Sequence, residues 1–192
     1  MSFRLGIELR PDIARNVGIV VAFSASCNSA WLQLFTALTA RTSGESPFEM
    51  RKETLAQLKA YVSIGSRTLR MARINELIPL VLPDIAGIAA AAQREEGQLA
   101  AKRNILAHQI ALTSAAQEAP AVWIDYRKLP FGALADASTE VDDGQLVESY
   151  RSYTDRLWQL ATWTFHRLFD EAPVWNPGPV LHLPVFPEAG PG

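Results

Sequence analysis

The sequence predicts an all-α protein: a four- to five-helix up-down bundle, with a short β-like insertion before the last helix and an extended, proline-rich C-terminal tail. Three observations lead there. Apolar residues recur at three- and four-residue spacing over four long segments. Clusters of proline, glycine and small polar residues separate those segments. The stretch Pro173–Gly192 holds six prolines and three glycines, too many for a helix. Residues 1–172 therefore read as one helical domain and 173–192 as its tail.

At 192 residues the chain is long enough to bury a substantial core. Its net charge of −2 excludes a broad attraction to nucleic acid or anionic membrane, so any such binding needs a local basic patch. The single cysteine, Cys27, excludes an internal disulfide and suits a reducing compartment. It lies in an apolar run and reads as a buried, inert thiol. No signal peptide is evident, and the expected location is the cytoplasm. Asn16–Ala40 carries no charged residue and is long enough to span a bilayer. Its many polar residues, Asn16, Ser24, Ser26, Asn28, Ser29, Gln33, Thr36 and Thr39, would be costly in lipid. It reads instead as a central, mostly buried helix, with no membrane partner.

The elements follow in order. Residues 1–10 are ambiguous between strand and helix. Pro11-Asp12 starts a helix that runs to Thr39 or Ala40, with Ile13, Val17, Val20, Val21, Trp31, Leu34, Phe35 and Leu38 as apolar contacts. The polar residues from Ser24 to Ser29 interrupt that stripe and must hydrogen-bond something. Arg41–Pro47 is a turn cluster. From Phe48, Leu55, Leu58, Val62, Gly65 and Leu69 repeat at helical spacing, with a kink or break at Gly65-Ser66. Arg67, Arg70 and Arg73 form a basic edge, while Leu69, Ile74, Leu77 and Ile78 face inward. Pro79 and Pro83 close the segment.

Pro83–Gln109 is the next helix, opened by proline and the capping carboxylate of Asp84. Ile88, Ala92, Leu99, Leu106 and Ile110 form its apolar stripe. Ala90, Gly97, Ala101, Asn104 and His108 form a second, nearly side-chain-free face that a neighbour can approach closely, a second subunit included. Periodicity then fails until Asp143. Within that gap Val122, Ile124 and Tyr126 alternate with Trp123, Asp125 and Arg127, which suggests a short strand or hairpin. Asp142 or Asp143 caps a last helix with Leu146, Tyr150, Tyr153, Leu157, Leu160, Phe165 and Leu168 on its apolar face. The tail is extended, loose or laid along the body by Val174, Trp175, Leu181 and Phe186.

Phosphate loops, paired cysteines, His-Glu-x-x-His and Gly-x-Ser-x-Gly are all absent from the sequence. The three histidines, His108, His166 and His182, stand far apart, so neither a metal site nor a cofactor is expected. His166, near a helix C-terminus, reads as structural. The chemistry concentrates in Arg103-Asn-Ile-Leu-Ala-His108. Asn104 and His108, four apart, project from one side of a helix. Arg103 and His108, five apart, differ by about 140° on an ideal helix. For the two to act together, the guanidinium must reach around, the helix must end early, or a second subunit must complete the site.

That hexapeptide, at the end of a long helix in a small bundle, resembles the HEPN superfamily (higher eukaryotes and prokaryotes nucleotide-binding domains). The form Arg-Asn-x-x-Ala-His resembles that of a set of uncharacterised bacterial helical proteins. The resemblance implies that Arg103 and His108 are the catalytic pair and Asn104 their polar neighbour, in a homodimer whose two motifs meet in a cleft. It implies a metal-independent endoribonuclease of toxin or defence type, with RNA and a cognate antitoxin or other protein as partners. Histidine would act as general acid or base on the ribose 2′-OH or the leaving 5′-oxygen, and arginine would hold the phosphate. Lys102, Arg94, Arg67, Arg70 and Arg73 would supply phosphate attraction. Gln109 stands where related proteins often have a small residue, and Asn28 where they often have a glutamate. Two other readings stay open. One is a non-catalytic interaction or regulatory protein that keeps the motif structurally, and the other is a small-molecule or nucleotide-binding module.

Overall fold

The computed structural model describes residues 10–112, 122–125, 127, 138–169 and 182–187. The protein is mostly helical. Helices α1 (Pro11–Thr42), α2 (Lys52–Ser63) and α3 (Arg67–Val81) precede a short 3-10 turn, Pro83–Ile85, and α4 (Ala86–His108). Strands β1 (Ile110–Leu112), β2 (Val122–Ile124) and β3 (Ser138–Glu140) lie between α4 and α5 (Asp143–Phe169). They form one antiparallel sheet in the order β1-β2-β3, with Ala111 opposite Trp123 and Trp123 opposite Thr139. The β-like insertion is thus a three-stranded sheet. Tyr126 and most of the remaining insertion lie outside the described residues, as do residues 1–9 and, in the tail, Val174, Trp175 and Leu181.

The chain packs as two compact units, Met1–Ala25 with Glu96–Tyr153 and Ser26–Glu95 with Thr154–Gly192. In the first, Ile13 and Val20, Leu99 and Leu106, Trp123 and Ile124, and Leu146, Tyr150 and Tyr153 are buried. Burial of aromatic and branched side chains on this scale is the main stabilising term. Polar groups fix the helix ends. Asp142 caps α5 by accepting from the Gln145 N–H at 2.8 Å, and the Asn16 amide donates to Asp143 at 2.7 Å.

In the second unit Trp31, Leu34 and Leu38, Ile74 and Ile78, and Leu157, Leu160 and Phe165 form the core. Phe35 stacks on Tyr61, with ring centroids 4.1 Å apart. The α1–α2 connection is a Schellman ending: Glu45 N–H bonds to Ala40 C=O and Gly44 N–H to Arg41 C=O. Gly44 supplies the required positive φ of 66°.

The break expected at Gly65-Ser66 separates α2 from α3, and the Ser66 hydroxyl accepts from Leu69 N–H as the N-cap of α3. Several expectations for this region change. Leu69 (60% exposed) and Val62 (59%) do not face inward, and Leu55 is exposed too. Burial in α2 follows Thr54 and Tyr61, each one position before the expected Leu55 and Val62, and in α3 it follows Met71, Ile74 and Ile78. Pro79 lies inside α3 rather than closing it. The helix survives because Leu82 N–H still reaches Ile78 C=O, and only the proline's own donor is missing. The N-cap position of the 3-10 turn is Leu82, which makes no side-chain capping bond, and Asp84 lies inside the turn.

Helix α1 is less buried than expected. Only 28% of its most apolar window is inside, and Val21 is exposed. By length and composition it is the one helix among the described residues apolar enough to cross a membrane. The Cys27 thiol is buried, 3.3 Å from the Thr154 hydroxyl. In the tail, Phe186 is 5% exposed and Pro184 is buried, so the segment 182–187 is laid against the body.

Candidate functional site

Helix α4 has a seam that the sequence pattern only approximates. Ile85 of the preceding turn, then Ala89, Ala92, Glu96, Leu99 and Leu106, are buried at alternating spacings of four and three. This is the 3.5-residue period of helices packed along their length. The one position of that alternation between Leu99 and Leu106 is Arg103, which is half-buried. Ile88, expected on the stripe, sits one position off it and is also half-buried.

A guanidinium in an apolar seam must find acceptors, because a buried cation without them is strongly disfavoured. Arg103 Nη1 donates to Ser24 Oγ of α1 at 3.2 Å, and Nη2 donates to Asn104 Oδ1 at 2.8 Å. Its Nε is buried without a hydrogen-bond partner among the described residues. The expected interruption of the α1 stripe is satisfied in this way: Ser24 accepts from Arg103, while Ser26 accepts from the Trp158 indole at 2.9 Å.

Asn104 and His108 are exposed on the same side of α4, and Ala101 with them. The helix is regular to its end, with Gln109 N–H still bonded to Ile105 C=O at 3.0 Å. An early helix end therefore does not bring Arg103 and His108 together. Among the described residues no hydrogen bond or ion pair joins them. The guanidinium instead reaches around to the Asn104 amide, which stands one turn from the imidazole.

Beside this face is a cleft of about 330 Å³, lined by Lys102 and Ile105 of α4, Glu140 and Asp142 before α5, and Gln145 and Ser149 on it. Neither Arg103 nor His108 lines it. Its two carboxylates oppose a phosphate there, and Lys102 alone attracts one.

The remaining expected phosphate ligands belong to the second unit, whereas Lys102 belongs to the first. Arg67 Nη2 donates to the Gln93 carbonyl at 2.5 Å, so part of that guanidinium is committed to holding α3 against α4. Arg70 is half-buried, with its Nε unpartnered among the described residues. Arg73 is exposed but pairs with Glu76 at 2.9 Å. Arg94 is exposed at the edge of a groove below the tail. Of the other histidines, His166 is half-buried in the last turn of α5 and His182 is exposed. Among the described residues no group of three or more His, Cys, Asp or Glu is placed to hold a metal ion.

Ser24 is the site residue that motif reasoning missed. Its signal was the polar run in α1 that required a partner, without saying which. No protein-family model matches the chain, and neither the curated proteins nor the solved structures include a match.

Proposed function

We propose that this chain is a HEPN-like helical bundle that acts as a homodimeric, metal-independent endoribonuclease of toxin or defence type. The observation that carries the reading is the Arg103 guanidinium turned onto Asn104, one helical turn from the exposed His108. In one chain the arginine and histidine start from different faces. Two copies meeting across the exposed Ala101–Asn104–His108 strip would set the arginine of one against the histidine of the other. His108 then takes the proton of a ribose 2′-OH or gives one to the leaving 5′-oxygen. Arg103 neutralises charge on the phosphoryl oxygens. Attack by the 2′-oxygen on phosphorus expels the 5′-oxygen and leaves a cyclic phosphate, with no metal required. RNA is the substrate, and an antitoxin or another cytoplasmic protein is the partner that restrains it. The test is RNA cleavage in EDTA by wild type and by His108→Ala. Loss of cleavage in a folded variant supports the reading, and unchanged cleavage sinks it.

A second reading rests on a specific observation: Arg103 occupies a seam position and ties α4 to Ser24. A non-catalytic interaction or regulatory protein would keep the arginine for that bond alone. It would show no RNA turnover to lose.

A further inference from the structure

The face of α4 near its start is rich in small residues, and the chain's own tail lies over it. Gly87, Ile88, Ala90 and Ala91, with Arg94 at the edge, face Leu183–Phe186 across a cavity of about 510 Å³. The tail segment is anchored at two points. Phe186 is 5% exposed, with the Arg156 guanidinium 5.4 Å from its ring centroid, and Pro184 is buried. Arg156 is itself held by an ion pair with Glu95 of α4. Val185, between the anchors, is 82% exposed. The segment forms neither helix nor strand. Its grip therefore comes from a proline and an aromatic two residues later, seated on a glycine- and alanine-rich surface that Ile88 and Arg94 border.

We infer that this groove is a binding site for an extended peptide carrying a Pro-x-Phe pattern, and that residues 183–186 occupy it in cis. Proline gives the occupant a low entropy of ordering, because its backbone is already near the extended form. The aromatic ring supplies the buried anchor, and the guanidinium above it adds a cation–π contact. The unfilled volume beside the segment leaves room for a competitor with larger neighbours than the resident one. A partner protein bearing the same pattern would displace the tail, and the tail's tether sets the affinity that the partner must exceed. This inference is independent of the ribonuclease reading.

The experiment uses a labelled hexapeptide, His-Leu-Pro-Val-Phe-Pro, titrated into the full-length chain. Folded Phe186→Ala, checked by circular dichroism, should bind it with a dissociation constant below about 1 mM, the effective concentration of a short tether. Wild type should bind at least about twofold more weakly, because its own segment competes at that concentration. Adding Ala91→Arg to Phe186→Ala should abolish binding. A peptide with Ser at the Val185 position should bind normally, and one with Ala at the Phe186 position should not. Equal binding to wild type and Phe186→Ala, or none to the folded variant, overturns the inference. So does binding indifferent to Ala91→Arg. Amide NMR of folded Phe186→Ala gives the site: millimolar peptide should shift the Gly87, Ala90 and Ala91 resonances, and unmoved resonances count against the groove.

Discussion

Arg103 on α4 and Ser24 on α1, 79 positions apart in sequence, are joined by a 3.2 Å hydrogen bond from Nη1 to Oγ. This bond accounts for two features that look unrelated in the sequence, a charged residue in the apolar seam of α4 and a polar interruption in the stripe of α1. Removing either partner leaves a half-buried polar group short of a bond. Arg103→Ala should lower stability by about 1–3 kcal/mol, and Ser24→Ala by about 1 kcal/mol. The double variant should cost less than the sum, since the first change already removes the shared bond. Urea denaturation of the three variants measures this, and strict additivity would separate the two residues.

His108 gives the contrasting case. Its side chain is exposed at the end of α4, so His108→Ala should change stability by no more than about 0.5 kcal/mol. A larger loss in the same urea experiment would mean that the imidazole holds structure. Its use as a clean probe of chemistry would then be gone.

Asp142, not Asp143, caps α5. The Asp142 carboxylate accepts from the Gln145 N–H, while Asp143 accepts from the Asn16 amide. Asp142→Ala should cost about 1 kcal/mol, and Asp142→Ser should recover most of it, because a serine hydroxyl also caps. Thermal unfolding of both variants tests the assignment. Equal loss in the two would point to a role other than capping.

The α1–α2 connection carries an acid-sensitive contact. The Arg51 backbone N–H donates to Glu45 at 2.9 Å and the Arg51 guanidinium pairs with the other carboxylate oxygen. The backbone bond first, then the guanidinium, holds the Glu45 carboxyl below its ordinary value, against the opposing effect of burial. A depressed carboxylate pKa in the folded state stabilises above the ordinary value near 4.5 and is lost as pH falls through the lowered one. Wild type should therefore exceed Glu45→Gln in stability at pH 7, and the two should converge well below pH 4.5. Urea midpoints across that window test the sign, and a gap that widens on acidification would contradict it.

Much of the fold was legible because helix signals are local. Pro11-Asp12, the turn cluster ending at Pro47, the break at Gly65-Ser66 and the carboxylates before α5 all act within a few residues. What was not legible depends on rotation about a helix axis. Leu55, Val62 and Leu69 make an apolar stripe by their spacing, but within α2 Thr54 and Tyr61, each one position earlier, take the inside, and in α3 Met71, Ile74 and Ile78 do. The motif points Arg103 toward a site, while its place in the seam follows from the burial of Glu96, Leu99 and Leu106 along the same side of α4. The sequence stated the angular mismatch between Arg103 and His108 correctly. The Arg103–Asn104 bond is not legible from spacing.

The most direct test of the proposed function is the chemistry of the product. Purified protein is incubated in EDTA with an RNA oligonucleotide and with the same oligonucleotide carrying a single 2′-deoxy substitution at the cleaved position. The account predicts a cyclic phosphate end from the first, no cleavage at the substituted position in the second, and no product from either with His108→Ala. Cleavage that survives the deoxy substitution, or a folded His108→Ala that still cuts, would contradict it.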